Sequence, residues 1–395
     1  MIYLDNSATT FPKPLAVRRE MQRAMTEFGA NPGRSGYAMC LRTTQALYEV
    51  RKEAASFFGA SGPECVLFQP SCTQAINLVL KGSLNPGDHV VISDLEHNAV
   101  TRPLTALKES KGITFTVAQV VLGDNDATLD HFRKAMGPKT KLVVCTMASN
   151  VFGIRVPVER ITALAHQYGA KVCVDAAQGA GLIPIHLEES GIDFLCCAGH
   201  KGLYGPMGTG LLVLRDPTQP LGTLVEGGTG TQSRSFQQPE DPPERFESGT
   251  QNVPGLLGLG AGMDFVRRQG VERICREELE KLRYLHHRLS KVKGVTLYTP
   301  LPEEPWFVPV LSFNVEGLPS EEVGEALAKS GIAVRCGLHC APLAHEKMGT
   351  LETGTVRVSP SWFTRKEELD TLVFRISRLC SWKEKYSHSL GKMGE

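Results

Sequence analysis

Apolar residues fall into two alternating rhythms along this chain. Between about residues 64 and 214, short continuous apolar runs are followed by stretches with helical spacing. Val66-Leu67-Phe68, His89-Val90-Val91-Ile92-Ser93, Leu142-Val143-Val144-Cys145, Val172-Cys173-Val174-Asp175, Phe194-Leu195-Cys196-Cys197 and Gly210-Leu211-Leu212-Val213-Leu214 read as buried strands. The spacing predicts helices over about 73–80, 100–109 and 158–168. A strand covered on both faces has no solvent side to be polar, so this alternation predicts a mostly parallel, helix-covered sheet. Residues 226–252 break the rhythm. They are rich in Gly, Ser, Gln and Pro, and a loop of that length is usually functional or disordered. Beyond them the pattern predicts an amphipathic helix over about 277–292, strands over 311–315, 332–334 and 356–358, and a helix over 320–329. Thr364-Arg365-Lys366-Glu367 reads as a capping box opening the last helix. The expected division is a large α/β domain, 13–258, and a smaller α+β domain made of 1–12 and 259–395.

Composition narrows the class. The 395 residues are 42% hydrophobic and 22% charged, an ordinary globular mixture. The formal net charge of +1 gives no basic excess for nucleic acid or an acidic membrane surface, so neither is expected as a partner. The 11 cysteines do not form the dense framework of a small secreted domain. No apolar run approaches a membrane span; the richest, 255–266, contains four glycines and an aspartate. With no basic-then-apolar leader at the start, a reducing, cytoplasmic compartment is the expectation.

In open α/β sheets, ligands bind beyond the carboxyl ends of the strands. Here those ends carry Glu96-His97-Asn98, Asn150, Asp175 with Gln178, and Gly199-His200-Lys201. Any one of these could simply cap a strand. Together they suit pyridoxal phosphate (PLP) chemistry, in which a lysine forms the Schiff base and an aspartate keeps the pyridine nitrogen protonated. Ser71-Cys72-Thr73 lies at a strand-to-helix junction, where backbone N–H groups suit a phosphate.

Val174-Asp175-Ala176-Ala177-Gln178, Gly199-His200-Lys201 and Arg335-Cys336-Gly337-Leu338-His339-Cys340-Ala341 together resemble the class V aminotransferase-like family, and within it the group II cysteine desulfurases and selenocysteine lyases. The resemblance runs from Leu4-Asp5-Asn6-Ser7-Ala8-Thr9-Thr10 to Arg357-Val358-Ser359. It implies the fold type I, aspartate aminotransferase-like architecture of PLP-dependent transferases. It implies Lys201 as Schiff-base lysine and proton shuttle, Asp175 on the pyridine nitrogen, Gln178 on the phenolic oxygen and His97 stacked on the ring, with a part in proton transfer. Thr73 and His200 would hold the phosphate, near Cys72. Asn150 and Arg357 would bind the substrate carboxylate, with Arg335 nearby. Thr250, in Phe246-Glu247-Ser248-Gly249-Thr250, would reach the phosphate of a neighbouring subunit in a homodimer. Two positions depart from the family's pattern: Ala198 and Cys72 each stand where a phosphate-binding hydroxyl is usual.

Cys340 decides the reaction class. It lies in a polar stretch, where a thiol is free to act as a nucleophile beside His339 and Arg335. Cys145, Cys173, Cys196 and Cys197 lie in apolar runs and read as small buried hydrophobes. A zinc site at Cys336, His339, Cys340 and His345 is set aside, because the spacing lacks a paired Cys-x-x-Cys and Pro342 restricts it. The resemblance therefore implies conversion of L-cysteine to L-alanine with a persulfide on Cys340, delivered to a sulfur-acceptor protein, as in iron–sulfur cluster assembly. The alternatives are a selenocysteine lyase acting on L-selenocysteine, another PLP lyase or transaminase of this fold, and a non-catalytic sulfur-carrier scaffold.

Overall fold

The computed structural model describes residues 1–391, with side chains described through residue 381. The larger of two compact units takes Pro12–Met147 and Val156–Glu272; the smaller takes Met1–Phe11, Ala148–Arg155 and residues from Arg273 onward. Two segments lie elsewhere than a cut near residue 258 would put them. Ala148–Arg155 is held in the smaller unit, where Ser312 Oγ donates to Val151 O and Arg155 N donates to Trp306 O at 2.8 Å. The glycine-rich run 255–266 is part of a helix, Val253–Gln269, in the larger unit. Its glycines permit close packing: a Cβ on Gly262 would lie 2.4 Å from Leu203 O.

The larger unit is built on a seven-stranded sheet in the order Val66–Gln69, Gly210–Leu214, Phe194–Ala198, Lys171–Asp175, Thr140–Thr146, His89–Ser93, Thr114–Ala118. Only Gly210–Leu214 runs against its neighbours. The sheet is therefore mostly parallel, as the continuous apolar runs required. Thr114–Ala118 was not legible as a strand. It lies at the sheet edge with Thr114, Thr116 and Val117 exposed, so it lacks an apolar run. Ala38–Phe58 was not legible as a helix, because Thr43 and Arg51 interrupt its buried stripe. The helices Leu15–Glu27 and Asn125–Ala135 likewise lacked a clear apolar face in the sequence.

The smaller unit holds a four-stranded antiparallel sheet, in the order Arg335–Gly337, Thr355–Val358, Leu311–Val315, Val295–Leu297. Ile2–Tyr3 pairs in parallel with Ile332–Ala333. The core joins Leu4, Leu282, Leu285, Phe313, Val356, Leu369 and Ile376. The amphipathic helix expected at 277–292 spans Val271–Leu289. The capping box is also displaced. The last helix starts at Lys366, Thr364 Oγ1 accepts from Ser361 N at 2.9 Å, and Glu368 accepts from Arg365 N at 2.8 Å. Thr364 is used by the preceding turn and so does not cap the helix.

Candidate active site

In the larger unit the reactive groups stand at strand ends, where backbone hydrogen bonds leave little freedom. Asp175 closes the strand Lys171–Asp175 and is buried. Its Oδ1 accepts from Ala177 N at 2.9 Å and from Cys72 Sγ at 3.4 Å. Gln178 follows in the next turn and is also buried. Lys201 lies in the turn after Phe194–Ala198, half-buried, and its carbonyl accepts from Tyr204 N at 2.8 Å. Gly199 makes that turn possible, since a Cβ there would lie 2.2 Å from Thr209 Oγ1.

Burial and neighbouring charge shape this cluster. Burial pushes the Cys72 thiol well up, and Asp175 adds to the effect while the Lys201 ammonium opposes it. Cys72 is thus a neutral thiol donating to the carboxylate. His200 is held down to about 4, first by burial, then by the charges of Lys201 and Lys13. It is a neutral imidazole at physiological pH. Lys13, which the sequence did not single out, donates to His200 O at 2.8 Å, and burial lowers it to about 8.

Cys72–Ser83 forms the helix whose start is the candidate phosphate site; Ser71 caps it by accepting from Gln74 N at 3.2 Å. Thr73, in the first turn, is exposed. His97 caps the helix Asn98–Lys111, its Nδ1 accepting from Ala99 N at 3.0 Å, which leaves the proton of the neutral ring on Nε2. Before it, Glu96 is fully buried. One oxygen accepts from Ser93 Oγ and from Thr146 N at 2.7 Å, and the other has no hydrogen-bond partner. Burial pushes this carboxyl up to about 8. Nothing in the sequence marks this burial, because Glu96 reads there as one more polar residue beyond a strand.

Thr250 lies apart from this cluster's hydrogen bonds; its hydroxyl accepts from Asn31 Nδ2 at 3.3 Å. The segment before it is anchored by Glu247. That carboxylate receives Arg51 bidentately at 2.7 and 2.8 Å and accepts from Phe68 N at 2.6 Å. Gln74, Phe246, Thr250 and Asn252 help line a cavity of about 260 Å³ beside it.

The smaller unit gathers the other expected residues. Arg335 and Arg357 are directly opposite each other on neighbouring antiparallel strands and so share one face of the sheet. Like charges in that position repel, and each lowers the cost of accepting an anion. Arg357 is buried; it pairs with Asp5 Oδ1 at 2.7 Å and donates to Asn150 O at 2.9 Å, while its buried Nε has no partner. Burial pulls its pKa down, against the pull of Asp5. Asn150, also buried, donates from Nδ2 to His339 O at 2.8 Å. The resemblance grouped residues 150, 335 and 357; the hydrogen bonds that join them to residue 339 are not readable from the sequence pattern.

Cys340 is exposed, between the strand Arg335–Gly337 and the helix Pro342–Lys347. It sits in a tight turn closed by Ala341 N donating to Leu338 O at 2.9 Å. Both central residues are left-handed, His339 at φ 52° and Cys340 at φ 58°. Glycine and asparagine normally fill such positions, and each other residue costs roughly 1–2 kcal/mol there. Arg335 donates to Cys340 Sγ at 3.7 Å. Cys336 differs from Cys340: it is half-buried, and burial pushes its thiol up to about 12. The other cysteines named in the strands are buried. Among the described residues no His, Cys, Asp and Glu cluster suits a metal ion.

Comparison with known proteins places the chain in context. Residues 2–372 match the model of the family described as Aminotransferase class-V. A probable cysteine desulfurase of Methanothermobacter thermautotrophicus is 36% identical over 381 residues, covering 94% of this chain and 92% of that protein. Probable cysteine desulfurase 1 of Mycobacterium leprae is 37% identical over 390 residues, which is 96% of this chain. The chain spans 62% of that protein and 55% of a similar one from Mycolicibacterium paratuberculosis. Among solved structures, the apo cysteine desulfurase from Thermococcus onnurineus NA1 superposes with a TM-score of 0.88 at 31% identity, covering 96% of this chain and 94% of that one. The cysteine desulfurase CsdA of Escherichia coli gives 0.84 at 27% identity, covering 95% and 94%.

Proposed function

Because the chain belongs to the class-V aminotransferase family, we propose that it is a PLP-dependent cysteine desulfurase. It would convert L-cysteine to L-alanine and carry the sulfur as a persulfide on Cys340. The observation that carries this reading is the exposed Cys340 thiol, presented beside Arg335 on a turn that also engages Asn150. A transaminase has no use for a thiol there.

The donor set in the larger unit suits the cofactor. Asp175 has one oxygen satisfied by Ala177 N and Cys72, Lys201 supplies an amine, and the capped helix start at Ser71 supplies backbone donors. Gly210 keeps that start open to its neighbour strand, since a Cβ would lie 2.6 Å from Ser71 C. When bound, PLP supplies an electron sink for charge developing at the substrate Cα. Asp175 would hold a proton on the pyridine nitrogen. Gln178 and His97 would orient the ring, with His200, Thr73 and the helix start on the phosphate. Lys201 would bind the cofactor covalently, then move the Cα proton. Arg357, steadied by Asp5, would receive the substrate carboxylate with Asn150 and Arg335, because a guanidinium fork matches a carboxylate. The Cys340 thiolate would attack the substrate sulfur, forming the S–S bond as the C–S bond breaks. We further infer a homodimer in which Thr250 serves the partner's cofactor phosphate, and a sulfur-acceptor protein. Mass spectrometry after reaction with L-cysteine tests the reading: one added sulfur on Cys340, with alanine formed, is expected. Sulfide release with no added sulfur on any cysteine would favour a lyase.

A further inference from the structure

We infer that Thr350, His345 and His339 form a fixed hydrogen-bond relay that holds the Cys340 turn in shape, which makes His345 and Thr350 positioning residues for the nucleophile; this rests on the reading of Cys340 as the sulfur acceptor.

The direction of the relay follows from its far end. His339 Nε2 lies 3.4 Å from Arg335 O, and a carbonyl only accepts, so His339 carries its proton on Nε2. His339 Nδ1 is then an acceptor. It faces His345 Nε2 at 3.4 Å, which must donate. That leaves His345 Nδ1 to accept from the Thr350 hydroxyl at 2.8 Å. One tautomer of each ring satisfies the whole chain.

Packing holds the relay in place. His339, His345 and Thr350 are all buried. The two rings lie side by side with centroids 5.6 Å apart and planes 9° apart, and Phe152 meets His345 edge-on at 5.7 Å. Burial lowers both histidines, His339 to about 2, which favours the neutral ring that both donates and accepts. The groups facing them include Arg335, Arg357 and Asn150, and the two arginines also disfavour a charged His339. The relay thus ties residue 339 back to the carbonyl of residue 335, while Asn150 holds the carbonyl of 339 from the other side. Between these two ties the backbone keeps its left-handed pair, and the Cys340 sulfur stays beside Arg335. Neither His345 nor Thr350 needs to touch substrate for this.

The test uses the PLP-loaded enzyme and L-cysteine. Thr350→Val keeps the shape and removes the hydroxyl; Thr350→Ser keeps the hydroxyl. Thr350→Val should lower kcat for alanine formation about tenfold, since small misplacement of a reacting group costs that much or more. KM should stay within about twofold and the cofactor absorbance change on adding L-cysteine should keep its amplitude. Thr350→Ser should restore most of kcat. Unchanged kcat in Thr350→Val, a loss shared by KM and cofactor absorbance, or no rescue by Ser would overturn the relay. Should Thr350→Val not fold, ¹⁵N-histidine NMR of the unaltered enzyme decides. Both rings protonated on Nε2 alone at pH 7 to 8 supports the relay; any other tautomer overturns it. Cys340→Ser separates the two readings. If that variant makes alanine normally, the Cys340 reading falls. If it is inactive while Thr350→Val is normal, only the relay falls.

Discussion

Asp175 in the larger unit and Cys340 in the smaller are both delivered near the end of a strand, but their neighbours hold them differently. Asp175 ends a strand paired on both sides, and its carboxylate is engaged by the next turn's backbone and by Cys72. Its place follows from sheet register. Cys340 lies three residues past its strand, on a turn whose two central residues adopt a conformation they disfavour, kept there by side chains far away in sequence. On the proposed roles, a group that holds a ring nitrogen through every step benefits from the first arrangement. On the same proposal, a thiol that receives sulfur and hands it on benefits from the second, because strain held by a few bonds is released when those bonds are broken.

The strongest challenge to this contrast is Lys201→Ala. If the strand-end cluster carries the cofactor chemistry, activity falls by about 10³-fold or more, as for loss of an acid–base group. Borohydride should then no longer trap PLP on the protein; trapping on another lysine would break the assignment. Cys340→Ser should cut alanine formation about a hundredfold while the cofactor still binds, because only the nucleophile changes. Weak cofactor binding by that variant would mean that the two groups of residues do not divide the work. Next in size is Glu247→Ala, which strands the buried Arg51 charge. It should lower the stability measured by urea unfolding by about 3–5 kcal/mol. A loss below ~1 kcal/mol would show that the anchor is dispensable.

The smallest effect per pH unit is a signature that distinguishes Glu96 from His339. Glu96 is raised to about 8, so the native state holds its proton more tightly than the unfolded chain. The associated stability is present below about 4.5 and is lost as pH rises towards 8, at up to about 1.4 kcal/mol per unit. Glu96→Gln should flatten that limb. His339 is lowered to about 2, the opposite case. Its contribution is present above about 6.5 and is lost as pH falls below it. His339→Asn should flatten the acid limb alone. Thermal melts of both variants between pH 5 and 8.5 check this; a change on the same limb in both would remove the distinction.

The larger unit was the more legible half. Six of its seven strands contain continuous apolar runs, and a residue that ends such a run, as Asp175 does, already has a known side and depth. The smaller unit's site depends on register between short strands and on hydrogen bonds spanning 189 residues, from Asn150 to His339. Arg335 and Arg357 could be named as candidates, but their pairing across two strands of three and four residues leaves no periodicity to read. Lys13 and Thr350 were missed as site neighbours, and Glu96 and His345 were read only as a strand-end polar residue and a rejected zinc ligand, for a related reason. Their significance lies in burial, and nothing local distinguishes a buried polar residue from a solvated one.

The bidentate contact between Arg51 and Glu247 has a further consequence. Val66–Gln69 is the last strand of the seven, so one of its flanks has no strand to pair with, and its sequence is a flat apolar template that another chain could extend. On this strand Phe68 N is taken by Glu247, and Arg51 donates to Val66 O. Two side chains thus occupy ladder positions that an incoming strand would need. The same contact that anchors the polar segment guards the sheet against intermolecular strand addition, so variants that loosen it should aggregate through this strand before they unfold.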